Sequence, residues 1–457
     1  MVFSSIPFLF FFLPIFLVLY FIVPFKLKNI VLLIFSLIFY AWGEPIYIIL
    51  MVFSSIVDYT NGRLIEKYQN KKKIFMILSV IINLSLLGFF KYSDFLITNI
   101  NNLFNINIKL LNLSLPIGIS FFTFQTMSYS IDVYRGEVKA EKNFLNFMAY
   151  VSMFPQLIAG PIVRYEEVAK ELSKREINWN NFNDGLFRFL QGLFKKVLIA
   201  NSVGFLFTTI SSMNYTDISV LTAWLAIIAF SLQIYFDFSG YSDMAIGMGK
   251  MLGFTYPENF NYPFIAKSIT DFWRRWHMSL STWFKDYVYI PLGGNRKHQF
   301  RNILVVWALT GLWHGASWNF ILWGVYFGIL LIIEKYVLKK YLEKLPNLFR
   351  HLITIFLVII SFYIFAFDNT SNLLSFGKIL FGISGNSFID SNFIFYFKNY
   401  LIVIILACIL ATPIYQKYKE RIEKKGLIIT IIYILLFILT ISYLVSDTYN
   451  PFLYFRF

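Results

Sequence analysis

The sequence predicts an all-α integral membrane protein, and three observations support that fold class. Of the 457 residues, 58% are hydrophobic and only 14% are charged. The mean hydropathy is +0.64. Soluble domains carry about 25% charged residues, so this chain could not cover a surface that faces water. The apolar residues also fall in long runs, as membrane-spanning helices require, and a soluble enzyme is therefore excluded.

The apolar runs divide into continuous and interrupted ones. The continuous runs lie at 6–23, 74–90, 218–236, 318–333, 351–367, 401–414 and 427–445. Shorter runs, or runs interrupted by Gly, Pro or polar residues, lie at 30–40, 47–57, 115–131, 144–158, 186–207 and 303–313. Broken or polar backbone is tolerated at membrane depth only inside protein or beside a wet cavity. We therefore expect about 11 transmembrane helices plus re-entrant helices.

The basic residues predict the orientation of the chain. Lys and Arg concentrate in the connections 63–73, 335–350 and 417–425, whereas 99–114, 211–217 and 367–392 contain few of them. Connections rich in Lys and Arg stay in the cytoplasm, so both ends of the chain are expected outside it. The net charge of +15 then belongs to these loops and does not indicate nucleic-acid binding. No linker divides the chain, and we expect a single membrane domain over 1–457.

Polar residues crowd into the stretch 236–323, where ionisable groups at membrane depth are functional candidates because their burial is costly. His314 lies between two apolar runs, and Gly311 and Gly315 beside it allow a close approach of backbone or ligand. A neutral imidazole at this place can take a proton from a hydroxyl that attacks an acyl carbon. The alternative is a structural histidine that bridges two helices.

His277 is the second histidine of this stretch, and it follows Arg274 and Arg275. It lies 37 residues before His314, so the two histidines can meet only across the fold. The alternative for these three residues is an interfacial helix whose long side chains reach the membrane surface. No carboxylate or cysteine stands at a metal-ligand spacing from the histidines, so no metal is expected. The single cysteine, Cys408, lies in an apolar run, which favours a buried structural thiol.

Five ordered motifs within 115–323 carry a family resemblance. They are Phe154-Pro-Gln-Leu-Ile-Ala-Gly-Pro161, Phe236-Asp-Phe-Ser-Gly-Tyr-Ser-Asp243, Phe272-Trp-Arg-Arg-Trp-His277, Tyr289-Ile-Pro-Leu-Gly-Gly-Asn-Arg296 and Trp313-His314-Gly-Ala. Together they resemble the membrane-bound O-acyltransferase superfamily, and especially the membrane proteins of bacterial alginate and peptidoglycan O-acetylation. The resemblance implies a ring of helices around a thin central funnel. It also implies that His314 is the catalytic histidine and His277 the second histidine of the family.

The function that the resemblance implies is acetyl transfer from cytoplasmic acetyl-CoA to a polysaccharide outside the bacterial inner membrane, with no permanently bound cofactor. CoA phosphates would need basic partners, and Lys285, Arg296, Lys297 and Arg301 are candidates. Ordinary cytoplasmic loop charges are the alternative for these residues. The other candidates for binding or positioning are Arg274, Arg275, Asp237, Asp243 and Asn261, for which polar helix packing is the alternative.

The C-terminal tail, 446–457, is expected outside the membrane, where its aromatic residues could simply form an interfacial belt. The ending resembles a tyrosine-bearing C-terminal motif of this branch. A phenol beside a base can act as a covalent acyl carrier, so Tyr454 is the candidate relay with His314 as its base. A secreted, serine esterase-like transferase would then move the acetyl group to the sugar.

Three other functions remain open at this point. D-alanyl transfer to teichoic acid and acylation of a lipid both occur in the same superfamily. A transporter would also have broken helices and buried polar residues, although transporters more commonly show paired repeats. The acceptor is expected to be peptidoglycan or an alginate-like polymer, and the only other predicted contacts are membrane lipids.

Overall fold

The computed structural model describes residues 1–158, 160–414, 416–417, 426–446 and 449–453. The protein is 76% helical. The described residues contain no β-strand. The all-α fold class that the apolar runs predict is therefore confirmed.

Nine helices within the described residues are long and apolar enough to cross a bilayer. They are Phe25–Gly43, Ile48–Lys67, Gln69–Phe104, Trp179–Ser211, Val220–Met251, Trp318–Leu342, Asn347–Ala366, Ser391–Leu410 and Gly426–Ser446, and Phe8–Ile22 is a shorter apolar helix. Some interrupted runs form helices below the usual spanning length, with 17 residues in Ile119–Arg135, 9 in Phe144–Ser152 and 16 in Gln299–His314. The chain is a multi-pass membrane protein.

The chain divides into two compact units, and the first consists of Met1–Phe189 and Tyr241–Pro257. Its helices are α1 (Leu13–Ile22), α2 (Phe25–Gly43), α3 (Ile48–Lys67), α4 (Lys72–Phe104), α5 (Ile119–Arg135), α6 (Phe144–Ser152), α7 (Phe154–Leu157), α8 (Tyr165–Ser173) and most of α9 (Trp179–Phe194).

A buried polar network joins helices α3, α4 and α5 of the first unit. Asp58 is 0% exposed. Its carboxylate accepts hydrogen bonds from the Asn83 amide at 2.6 Å, from the Ser130 hydroxyl at 2.8 Å and from the Ser79 hydroxyl. Each donor is a neutral side chain of α4 or α5, so the network ties these helices to α3 as polar contacts do in membrane proteins.

The second unit consists of Leu190–Gly240 and Glu258–Phe457. Its helices are α10 (Asn201–Ser211), most of α11 (Val220–Met251), α12 (Ile269–Trp273), α13 (Met278–Phe284), α14 (Gln299–His314), α15 (Trp318–Ile333), α16 (Lys339–Leu342), α17 (Asn347–Ala366), α18 (Thr370–Leu380), α19 (Ser391–Leu410) and α20 (Gly426–Ser446). Its π-helical segments are Lys195–Ala200, Lys285–Tyr289 and Glu334–Leu338.

The expectation that the Cys408 thiol is buried is wrong. Cys408 is exposed on α19, a helix on which Ala407 is buried. An apolar run indicates burial in a soluble protein, but a membrane-spanning helix can turn the same residues toward lipid.

Candidate active site

His314 is the last residue of α14, where the chain turns back into α15. Its side chain is buried, at 3% exposure. The imidazole makes edge-to-face contacts with three aromatic rings, with centroids 5.0 Å away for Trp313, 5.0 Å for Trp323 and 5.4 Å for Phe365. This aromatic cage surrounds the candidate base with apolar surface.

Two glycines hold α14 and α15 against each other below His314. A Cβ atom on Gly311 would lie 2.3 Å from the Phe320 carbonyl oxygen, and one on Gly324 would lie 2.3 Å from the Trp307 carbonyl oxygen. Such distances are far inside van der Waals contact, so any side chain there would force the helices apart. Gly311, which precedes His314 by about one helical turn, thus helps to fix the position of the imidazole.

His277 lies at the start of α13 in a left-handed backbone conformation, with φ of 45°. Its Nδ1 atom is 3.2 Å from Asn259 Oδ1, which also accepts a hydrogen bond from the backbone N–H of Ser279. Because that oxygen can only accept, Nδ1 of His277 must carry the proton, which leaves the lone pair on Nε2. Burial lowers the pKa of His277 to about 3, so the ring is neutral at physiological pH.

The structure brings the two predicted histidines together around one indole ring. The Trp313 ring has its centroid 5.9 Å from that of His277 and 5.0 Å from that of His314. Both histidines belong to the second unit, and they reach Trp313 from α13 and α14. Tertiary packing therefore brings together two histidines that are 37 positions apart in the sequence.

A cavity of about 560 Å³ opens in the second unit beside α14. The ionisable residues that line it are mostly basic. The five cations are Arg274, Lys285, Lys335, Lys339 and Arg350, and the two carboxylates are Glu334 and Glu343. Glu334 accepts hydrogen bonds from the backbone of Ile269 at 2.6 Å and of Thr270 at 3.1 Å, so this carboxylate anchors α12. The cavity is thus suited to an anionic group.

The face of α14 that lines the cavity also carries His314. The cavity is lined on this helix by Ile303, Val306, Trp307 and Thr310, which recur at helical spacing. His314 follows four residues after Thr310, so it continues the same face about 6 Å farther along the axis. The part of the cavity lining that α14 supplies thus ends at Thr310, about one helical turn before His314.

Only part of this cavity could be predicted from the sequence. Arg274 and Lys285, two of the candidate binding residues, line it, and their role in donor binding stays a prediction. In the sequence, Lys335, Lys339 and Arg350 indicate only the orientation of the chain, and the structure adds them to the cavity wall. They all belong to the basic stretch 335–350, which begins just after the apolar residues of α15, and this position is the signal that could have found them.

Two other candidates brace the chain before His277. Arg275 forms an ion pair with Asp271 at 2.8 Å and donates to the Asn261 carbonyl at 3.3 Å. The backbone N–H of Asn261 in turn donates to the Arg275 carbonyl at 2.9 Å. These contacts fix the loop that carries His277.

Arg296 lies in an exposed turn, where its backbone N–H donates to the Gly293 carbonyl at 3.0 Å.

The two aspartates of α11 lie in different units. Asp243 forms an ion pair with Arg188 at 2.6 Å in the first unit. In the second unit, Asp237 forms one with Lys196 at 2.6 Å and accepts a hydrogen bond from the backbone of Leu453 in the C-terminal tail. The sequence prediction omitted Lys196, although a lysine inside the apolar run 186–207 is a signal for a paired charge. Tyr454, the candidate relay, lies outside the described residues.

The potential metal ligands of the described ranges are scattered. Across these ranges, no three His, Cys, Asp or Glu side chains come together as a metal site would need.

Comparison with known proteins gives a family match and a set of relatives. Residues 135–377 match the model of the membrane-bound O-acyltransferase family. The probable alginate O-acetylase of Pseudomonas aeruginosa is 42% identical over 379 residues, which cover 81% of this chain and 72% of that protein. The peptidoglycan O-acetyltransferase of Helicobacter pylori is 38% identical over 427 residues, or 85% of this chain and 81% of that protein.

A more distant relative has a different acyl group in its name. The teichoic acid D-alanyltransferase of Bacillus subtilis is 32% identical over 279 residues, which cover 56% of this chain and 69% of that protein. The similarity to the two acetyl-transferring proteins is both higher and longer.

Proposed function

We propose that this chain, which belongs to the membrane-bound O-acyltransferase family, supplies acetyl groups for O-acetylation of a polysaccharide outside the membrane. The chain is an acyltransferase by its family. The names of its alginate and peptidoglycan relatives support a polysaccharide acceptor. The observation that carries the proposal is the basic cavity beside α14, the helix whose last residue is the buried His314.

The donor in this proposal is acetyl-CoA, bound from the cytoplasm. Its phosphates pair with the cations of the cavity, because guanidinium and ammonium groups form strong charge-assisted bonds to phosphate. The pantetheine arm then lies along the α14 face and brings the thioester to His314. This arrangement agrees with the orientation that the basic loops predict, in which Lys335, Lys339 and Arg350 lie on the cytoplasmic side of a bacterial inner membrane.

His314 acts as the base, and Tyr454 acts as the first acceptor. The imidazole removes the phenol proton, the phenolate oxygen attacks the thioester carbonyl carbon, and the carbon–sulfur bond breaks. Protonated His314 returns the proton to the leaving thiolate, which gives free CoA and an acetylated tyrosine. The aromatic cage excludes water, which would otherwise hydrolyse the thioester.

The second step passes the acetyl group to a secreted, serine esterase-like transferase. Its nucleophilic hydroxyl attacks the tyrosine ester, and Tyr454 recovers a proton. The transferase then acetylates the polysaccharide. In this scheme both chain ends belong to the extracytoplasmic side, and the partner meets the tail from that side.

Donor preference tests the function directly. The protein in lipid nanodiscs would be given acetyl-CoA, palmitoyl-CoA or a D-alanylated carrier protein, and free thiol would be measured. We expect thiol release from acetyl-CoA to exceed the other two by at least tenfold. A preference for palmitoyl-CoA would indicate a lipid acyltransferase, and a preference for the carrier protein would indicate teichoic acid D-alanylation.

The cavity is tested by reversing two of its charges. Lys335→Glu with Lys339→Glu should raise KM for acetyl-CoA at least tenfold, yet leave KM unchanged for a short acetyl thioester that lacks the nucleotide. Lys340→Glu with Lys344→Glu is the matched control, because these neighbours do not line the cavity. Equal effects of the two double variants would contradict phosphate binding in the cavity.

The relay is tested by mass spectrometry. Protein incubated with acetyl-CoA should carry acetyl on Tyr454, and the Tyr454→Phe variant should lose transfer to the secreted partner. Full transfer by that variant would end the relay proposal while leaving the donor cavity and His314 in place.

A further inference from the structure

The C-terminal segment 449–453 runs along one face of α10 and the π-helical segment before it. Its contacts, in order along the tail, are Tyr449 with the Thr208 hydroxyl at 2.9 Å, Asn450 with the Asn201 amide at 3.2 Å, and the Pro451 carbonyl with the Lys196 ammonium. The partners move backward along the helix as the tail advances, so the tail runs antiparallel to it. From Thr208 to Lys196 the helix covers about 18 Å.

The last residues of the tail that the structure describes contact a buried ion pair. The Lys196 and Asp237 side chains are 2.6 Å apart and are 3% and 1% exposed. The backbone N–H of Leu453 donates to Asp237 Oδ2 at 3.0 Å. Asp237 lies near the middle of the 32-residue helix α11, so the tail reaches the mid-depth of a helix long enough to span a bilayer.

The ion pair supplies hydrogen-bond partners to the backbone of this segment. An irregular chain at membrane depth must have its backbone N–H and C=O groups bonded within the protein. Lys196 supplies a charged donor to the Pro451 carbonyl, and Asp237 supplies a charged acceptor to the Leu453 amide. Each partner thus satisfies one backbone group and the opposite charge, while Phe452 and Leu453 are 5% exposed.

We propose that the Lys196–Asp237 pair is the docking site of the C-terminal tail. It recognises the irregular backbone of 451–453 by one charged donor and one charged acceptor, and it fixes the chain up to Leu453, the residue that precedes Tyr454. The docking stands on the contacts alone, whereas its consequence for acetyl transfer rests on the proposed function. Both residues are positioning residues, since they contact the tail.

A cysteine cross-link measures docking without reference to activity. Asn201→Cys and Asn450→Cys, introduced with Cys408→Ser, place two thiols where amide atoms are 3.2 Å apart. We expect a disulfide to form on mild oxidation and both thiols to resist a maleimide-linked polymer. Adding Lys196→Met and Asp237→Leu should lower the cross-linked fraction at least tenfold. This double change keeps the side-chain volume and leaves no unpaired charge, so the helices remain packed.

The matched control is Arg188→Met with Asp243→Leu, which removes an ion pair between α9 and α11 within the first unit. Here the cross-linked fraction should stay at the parent level. An unchanged cross-link in the Lys196→Met, Asp237→Leu protein would overturn the docking site. Equal loss in both double variants would also overturn it, because the effect would then be one of general packing.

Kinetics separate docking from the proposed function. If the tail positions the acceptor, the Lys196→Met, Asp237→Leu protein should lose at least tenfold in kcat for acetyl transfer with an unchanged KM for acetyl-CoA. Loss of the cross-link with full transfer would support the docking site and contradict the tyrosine relay. Loss of transfer with a rising KM and an intact cross-link would contradict the docking site.

Discussion

Two buried carboxylates, one in each unit, are satisfied in different ways. Asp58 of the first unit accepts hydrogen bonds from three neutral side chains, those of Ser79, Asn83 and Ser130, on adjacent helices. Asp237 of the second unit is paired with a lysine and accepts a hydrogen bond from the backbone of the C-terminal tail. Both side chains are almost fully buried in helices long enough to cross a membrane.

This difference distinguishes a site bonded only to packed helices from a site bonded to the C-terminal segment. The Asp58 network is closed, since every partner is part of a packed helix, and its removal should affect folding. The Asp237 site includes a terminal segment as a partner. The second unit also contains the basic cavity and the two histidines around Trp313. We therefore expect polar residues of the first unit to determine stability and those of the second to determine activity.

The largest expected effect is on catalysis in the second unit. His314→Ala should lower acetyl transfer by about 10²–10⁴-fold, the usual range for a general base. Thiol release from acetyl-CoA measures it. His351→Ala is the matched control, because His351 of the same unit hydrogen-bonds the Ala266 carbonyl at 3.0 Å and should keep activity within about threefold. Wild-type rates in His314→Ala would remove this residue from the mechanism.

The next effect is on folding in the first unit. Asp58→Ala removes the acceptor that three buried donors share, which should cost about 3 to 5 kcal/mol of stability. Thermal unfolding in detergent should show the loss, while activity per folded molecule stays unchanged. Asp58→Asn retains one acceptor oxygen and should lose less. A drop in activity per folded molecule would mean that the Asp58 network takes part in transfer.

A pair of glycine substitutions compares helix packing in the two units. Gly311→Ala should cost about 1 to 3 kcal/mol and displace His314, since its Cβ atom would lie 2.3 Å from a carbonyl oxygen. Gly88→Ala on α4 meets no atom within 4 Å and should stabilise its helix by about 0.5 to 1 kcal/mol. Melting temperatures and transfer rates measured together would show both. Opposite signs are expected, and equal shifts would contradict the close helix contact.

The smallest effect at neutral pH concerns His277. Burial lowers the pKa of this imidazole from 6.5 to about 3. Below pH 6.5 the unfolded chain binds a proton that the folded chain excludes, so stability falls as the pH drops toward 3, by about 1 kcal/mol per pH unit. The wild type should therefore lose more stability than His277→Gln between about pH 7.5 and 5. Parallel pH curves for the two proteins would refute a neutral buried ring.

Much of the fold could be predicted from the sequence, because an apolar run of spanning length is stable only as a helix in a membrane or a protein interior. The run 303–313 shows the limit. It forms most of the 16-residue helix α14, which is shorter than a usual membrane span and packs closely against α15 at Gly311 and Gly324. The number of full crossings therefore could not be read from run lengths alone.

The candidate site was only partly predictable for a similar reason. His314 and His277 stand out as rare ionisable residues among apolar neighbours, and motif resemblance pointed to both. Lys339 and Arg350 look like ordinary loop cations in the sequence, but α16 and α17 bring them to one cavity. Lys196 is recognised as a docking residue only through its contact with the tail, which lies more than 250 residues later in the chain.

The central claim, that the second unit carries the chemistry and the first unit's polar network carries stability, is tested most directly by a double measurement. Single-turnover CoA release and the melting temperature would be measured on the same preparations of His314→Gln and Asp58→Ala. Because Gln keeps most of the volume of the buried imidazole, we predict about 100-fold slower release or more with a nearly unchanged melting temperature for His314→Gln, and the reverse pattern for Asp58→Ala. Slow release by folded Asp58→Ala, or normal release by His314→Gln, would contradict the account.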